Sequence, residues 1–136
     1  MKIRVIIPCF NEGKVVKKTY DRLTEILTEN SKTRRYYYDL LFIDDGSKDN
    51  TIEHIQHLAE YDEHVKYISF SRNFGKEAAM IAGFQHSVNV DAVVSQAAKW
   101  EHLTAWLSLW RGSLIGYSHV PLNVGLKSAL GQLLVL

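Results

Sequence analysis

A single cysteine, two prolines and no acidic residue after Glu101 are the scarcities that frame this 136-residue chain. Cys9 has no partner for an internal disulfide and no second thiol for a thiolate metal centre. It reads as a small buried or site-lining side chain in a reducing compartment. No stretch approaches the roughly 20 consecutive apolar residues that span a bilayer. The apolar run behind Met1-Lys2 is about six residues, too short for the apolar region of a signal peptide. An excess of one charge is missing too: 16 Lys and Arg stand against 15 Asp and Glu, leaving a net charge of +1. Such a chain has no overall field to recruit nucleic acid, and its one basic cluster, Lys32, Arg34 and Arg35, is short enough to be a solvated loop. Nucleic-acid binding is not expected.

What is present is an ordinary globular composition, 46% hydrophobic and 23% charged, in a length that fits one domain with a useful core. Strand-like and helix-like patterns alternate. Ile3 to Pro8 reads as a first strand. From Gly13 the period becomes helical, with Val16, Tyr20, Leu23 and Leu27 on one face and Lys17, Lys18, Asp21 and Glu25 on the other. Asn30 to Arg35 reads as a polar connector and Tyr36 to Ile43 as a second strand. Asp49 or Asn50 then caps a helix with Ile52, Ile55, Leu58 and Ala59 as its stripe, and Glu53 completes a capping box with Asn50. Val65 to Phe70 is a third strand, Lys76 to Ser87 a third helix, and Val90 to Val94 opens a fourth strand. This alternation predicts parallel strands joined by right-handed crossovers, with helices on both faces.

Chemistry gathers at the strand ends. Leu41-Phe42-Ile43 runs into Asp44-Asp45-Gly46-Ser47, and adjacent carboxylates belong at the C-terminal end of such a strand, where open α/β sheets build ligand sites. The first strand ends likewise, in Pro8-Cys9-Phe10-Asn11-Glu12. Asp, Gly and Ser are also turn and cap formers, so either stretch alone is explicable as a turn; two such edges on one rim are better explained as a site.

Three stretches, Val5-Ile6-Ile7-Pro8-Cys9-Phe10-Asn11-Glu12, Phe42-Ile43-Asp44-Asp45-Gly46-Ser47-Lys48-Asp49 and Phe70-Ser71-Arg72-Asn73-Phe74-Gly75-Lys76-Glu77, resemble successive motifs of the family 2 glycosyltransferases. Within that family they are most similar to the branch acting on polyprenyl phosphates, the dolichyl-phosphate mannose synthases and bactoprenol glucosyltransferases. The resemblance covers about residues 3 to 94 and implies a truncated α/β domain of the GT-A, Rossmann-like type, a mostly parallel sheet with helices on both faces. It implies a nucleotide-sugar donor, UDP- or GDP-linked, a polyprenyl-phosphate acceptor, and a place in the cytoplasm or at the cytoplasmic face of a membrane. By the same resemblance Pro8, Asn11 and Glu12 line the nucleoside pocket and Asp44 and Asp45 approach the base and ribose. Arg72 is placed to contact base or phosphate, and Gly75 and Lys76 open a helix whose N-terminus helps hold an anion.

The family also binds Mg²⁺ or Mn²⁺ through an Asp-x-Asp motif after the fourth strand. Here that strand runs into Ser95-Gln96-Ala97-Ala98-Lys99-Trp100, without a carboxylate, and Asp91 lies four residues before Ser95, about 13 Å away at strand rise. Ser and Gln are weak ligands for a hard cation, so no metal site and no catalytic residue is read from this chain. Composition breaks at the same place: beyond His102 only Arg111 and Lys127 carry charge. The expected division is therefore a nucleotide-sugar-binding half domain over 1–94 and a divergent or out-of-family segment over 95–136. In that segment Leu103 to Leu109 and Leu126 to Leu136 read as short apolar helices, and Trp100, Trp106, Trp110 and Tyr117 as aromatics covering a sheet edge or seated at a membrane interface. Gly112 and Gly116 have small-xxx-small spacing. The competing reading is a catalytically dead nucleotide-binding or interaction module; a doubly wound domain of response-regulator type, whose acidic pair binds Mg²⁺, is disfavoured because Pro8-Cys9-Phe10-Asn11-Glu12 places no second acidic cluster with a suitable lysine partner.

Overall fold

The computed structural model describes residues 1–95 and the backbone of Leu133–Leu134. The element order is β1 (Lys2–Cys9), α1 (Val16–Arg34), β2 (Tyr37–Asp44), α2 (Thr51–Tyr61), β3 (Val65–Ser69), α3 (Lys76–Gln85), β4 (Ala92–Ser95) and β5 (Leu133–Leu134). The sheet order is β3-β2-β1-β4-β5. The first four strands are parallel, with Val5 opposite both Leu40 and Val94, and β5 runs antiparallel to β4. Because side chains alternate along a strand, β1 and β2 feed two cores. Ile3, Val5, Ile7 and Cys9 join Tyr38, Leu40 and Phe42 beneath Val16, Leu23, Leu27 and Ile55 of α1 and α2. Ile6, Leu41, Ile43 and Val93 pack against Ala79 of α3 on the other face. The predicted two-sided parallel sheet is the fold observed, with strand limits moved by one or two residues.

Three expectations need correction. First, α1 does not stop at Asn30 but continues to Arg34, so Lys32 and Arg34 occupy its last turn rather than a loop. Cations at a helix C-terminus are favourable, and Arg35 closes the helix in the left-handed conformation with its N–H on the Ser31 carbonyl at 2.8 Å. Second, the capping box does not form, since the Asn50 side chain makes no cap hydrogen bond; Asp49 instead accepts from the Thr51 N–H at 3.0 Å. Third, Leu133–Leu134 lie in a strand against Val93 and Val94, within the stretch read as a helix over Leu126 to Leu136; pairing with an edge overrides the local apolar pattern. The other expectations for 96–136, including the 103–109 helix, the four aromatics and the glycine pair, fall outside the described residues.

The interior of β2 also holds one charge. Asp39 is fully buried and takes a two-pronged contact from Arg4, Nε to Oδ1 at 2.6 Å and Nη2 to Oδ2 at 2.7 Å. Arg4 and Asp39 are register partners on neighbouring strands, and Arg4 also donates through Nη1 to the His86 carbonyl beyond α3. Lys2 adds a contact to Asp39 at 3.3 Å. The Arg4 pKa is raised by its hydrogen bond to Asp39.

Candidate functional site

Parallel strands bring the C-terminal ends of β1, β2 and β3 to one rim, and three loops leave it. The first begins at Phe10, with Asn11 in a left-handed conformation at φ 53°. It is stitched to the second loop by side chains: the Asn11 N–H donates to Ser47 Oγ at 2.9 Å, and the Lys48 N–H donates to Asn11 Oδ1 at 2.9 Å. The third loop lies against the second at Gly46, whose φ is 68°. A Cβ there would stand 2.6 Å from both Arg72 Cα and the Asn73 nitrogen. Only glycine permits that approach at that backbone angle.

The adjacent carboxylates divide their work. Asp44 ends β2 almost wholly buried, accepting from the Ser47 N–H at 3.2 Å and the Ser69 hydroxyl at 3.0 Å. Asp45 reaches the third loop, accepting from the Phe74 N–H at 2.7 Å and the Gly75 N–H at 3.0 Å. Both carboxylates therefore organise backbone at the rim. A carboxylate oxygen has two lone pairs, so Asp45, which also borders the cleft, retains acceptor capacity toward it.

Between the first and third loops lies a cleft of about 290 Å³, lined by Pro8, Cys9, Phe10, Glu12, Asp45, Asn73, Gly75, Lys76 and Ala79. Of the eight residues expected at a site, it gathers Pro8, Glu12, Asp45, Gly75 and Lys76. Asn11, Asp44 and Arg72 are not in its lining: Asn11 and Asp44 brace the loops, and the Arg72 guanidinium lies 4.5 Å from the Phe74 ring centroid on the rim. Phe10, Asn73 and Ala79 line it without having been singled out. Phe10 and Asn73 lie inside the recognised motifs, and Ala79 is the first buried position of α3. Cys9 lines the cleft as anticipated; burial pushes its thiol up to about 12, helped by the nearby charges of Glu12 and Asp44, so it stays protonated near neutrality. The side chains of Glu12, Asn73 and Lys76 form no hydrogen bond or ion pair within the described residues.

The family model for glycosyl transferase family 2 matches residues 4–94. This chain belongs to glycosyl transferase family 2. It is 45% identical over 119 residues to CsbB of Bacillus subtilis (strain 168), which carries a glycosyltransferase name, covering 87% of this chain and 35% of that protein. It is 40% identical over 94 residues to the bactoprenol glucosyl transferase of Shigella phage SfX, covering 69% and 29%. The chain thus spans about a third of the length of these curated relatives. Among solved structures, a mannosyltransferase from Pyrobaculum calidifontis in complex with GDP-Man and Mn²⁺ superposes with a TM-score of 0.59 at 21% identity, over 71% of this chain and 27% of that one. S. aureus TarS 1–349 in complex with UDP superposes with a TM-score of 0.55 at 18% identity, over 80% and 32%. These likenesses establish the GT-A fold.

The family's divalent cation finds no matching donor set here. Among the described residues no group of three His, Cys, Asp or Glu side chains converges. Where the family's metal motif would begin, β4 ends in Ser95, not a carboxylate. A hard cation needs several oxygen ligands, carboxylates foremost. The described residues do not fit it.

Proposed function

We propose that this chain is the donor-binding part of a glycosyltransferase that passes a sugar from a UDP- or GDP-linked donor to a polyprenyl phosphate at the cytoplasmic face of a membrane. The observation that carries the reading is the convergence of three loops on one cleft of about 290 Å³, with Glu12, Asp45, Asn73, Gly75 and Lys76 on its walls. A nucleoside offers N–H and O–H donors to Glu12 and to the spare capacity of Asp45, while Asn73 both donates and accepts. The diphosphate is matched by the Lys76 ammonium and the start of α3, with Arg72 a second cation on the rim. In the whole transferase an acceptor phosphate oxygen bonds to the anomeric carbon as that carbon's bond to the nucleoside diphosphate breaks. Residues 1–94 carry the donor half, and 95–136 depart from the family pattern, by divergence, by a chimeric junction or by a shifted reading frame. The match to CsbB, 119 residues long, reaches into that later segment.

A second reading is a nucleotide-binding module without transfer activity, favoured by the absence of a convergent metal-ligand group among the described residues. Calorimetric titration of the 136-residue chain with UDP and GDP, each with and without Mn²⁺, tests both readings alongside a transfer assay. The expected result is weak binding that Mn²⁺ does not improve, lost in Asp45→Ala, and no transfer to a polyprenyl phosphate. Binding of neither nucleotide overturns the donor site. A Mn²⁺-dependent gain in affinity, or sugar transfer, overturns the inactive module.

A further inference from the structure

Three consecutive backbone N–H groups of the first loop are each taken by a side-chain oxygen of the second. Asn11 donates to Ser47 Oγ at 2.9 Å, Glu12 to Thr51 Oγ1 at 2.8 Å, and Gly13 to Asp49 Oδ2 at 3.1 Å. Thr51 is the first residue of α2 and fully buried. Its hydroxyl has one proton, given to Asp49 Oδ1, which turns its lone pairs toward the Glu12 N–H. Asp49 closes the arrangement by accepting the Thr51 N–H on the same oxygen. On its other side, the Glu12 carbonyl accepts from the N–H groups of Val15 and Val16 at 2.8 and 2.9 Å, which starts α1. Both backbone polar groups of Glu12 are therefore fixed, while its side chain, on the cleft wall, is unpaired within the described residues.

We propose that Thr51 and Asp49 are positioning residues that set the Glu12 carboxylate in the cleft. This rests on the reading of the cleft as a nucleotide site. Neither residue touches the cleft; Asp49 also caps α2, so one carboxylate ties the helix start to the wall bearing Glu12. An unpaired Glu side chain on a loose loop would have to be ordered when ligand arrives, at a cost to affinity. The Thr51 hydroxyl removes part of that cost beforehand.

The test is a double-mutant cycle with Thr51→Val, which keeps shape and removes the hydroxyl, and Glu12→Gln. UDP and GDP affinities are measured by calorimetry, and amide exchange at Glu12 and Gly13 by hydrogen exchange. Thr51→Val should weaken nucleotide binding about tenfold, Thr51→Ser should restore it, and in the Glu12→Gln background Thr51→Val should change affinity less than about twofold. The Glu12 amide should exchange faster in Thr51→Val without ligand. Equal losses in both backgrounds, or unchanged exchange at Glu12, would overturn the proposal. Should Thr51→Val fail to fold, Asp49→Asn with exchange read at Gly13 decides the same point. If the wild-type chain binds neither nucleotide, the donor-site reading fails, and exchange still decides whether Thr51 and Asp49 fix this loop.

Discussion

The two ends of the parallel sheet hold similar numbers of charges and use them oppositely. At the N-terminal end Arg4 meets Asp39 through two hydrogen bonds and continues to the His86 carbonyl, Lys2 adds a contact to Asp39, and the Lys2 N–H donates to Asp91. Each of these charges is answered by another side chain or by backbone. At the C-terminal end the carboxylates of Asp44 and Asp49 are spent on the loops, Asp45 holds the third loop while bordering the cleft, and Glu12, Asn73 and Lys76 stand on the cleft wall without partners within the described residues. Charge density alone therefore does not mark the site. What distinguishes the ligand-facing end is polar groups that have been held in place and left unanswered.

Breaking the closed end should cost the most. Asp39→Ala strands the Arg4 guanidinium in the interior and should reduce stability by about 3–5 kcal/mol, read by urea denaturation. Replacing both partners, Arg4→Met with Asp39→Leu, should cost far less, because no charge is left buried alone. Similar losses for the single and double variants would mean that the contact is packing rather than charge pairing.

At the open end a smaller but more local effect is expected. Gly46→Ala drives a methyl into the Arg72 backbone at a φ that side chains avoid. It should lower stability by about 2–3 kcal/mol and also weaken nucleotide binding, since the third loop must move. Unchanged affinity would detach that loop from the site.

The smallest effect is one of pH. The Cys9 thiol is pushed up to about 12 in the folded chain, so between roughly pH 9 and 12 the unfolded thiol has lost its proton and the folded one has not. Stability present below pH 9 should fall with rising pH, by about 1.4 kcal/mol per unit. Tyr20 and Tyr36, also raised to about 12, add the same sign above pH 10. Urea denaturation at pH 8, 9 and 10 should show the loss between 9 and 10 in the wild type and less of it in Cys9→Ala; equal slopes would place the thiol in a wetter setting.

Much of this was legible in the sequence because two periods carry it. The alternation of helical and strand patterns gave the element order and, with it, a parallel sheet with helices on both faces. Arg4 and Asp39 were opaque for a physical reason: a buried charge is tolerable only beside its partner, and that partner lies 35 residues away. The same holds at the rim. The motifs pointed to the loops that line the cleft, yet which oxygen faces it and which holds backbone depends on contacts between loops. Asn11 and Asp44 turned out to be braces, whereas Asn73, inside the third motif, lines the cleft. Of the two residues expected to cap α2, Asp49 accepts the Thr51 N–H and Asn50 makes no cap hydrogen bond.

The most direct test of the contrast between the two ends is a ¹H–¹⁵N NMR titration of the chain with UDP and with GDP. The account predicts shift changes concentrated on the amides of Glu12, Gly13 and Asn73 through Lys76, with Lys2, Arg4, Asp39 and Asp91 unmoved at saturation. Shifts centred on the Arg4–Asp39 end, or none at either end with both nucleotides, would contradict it.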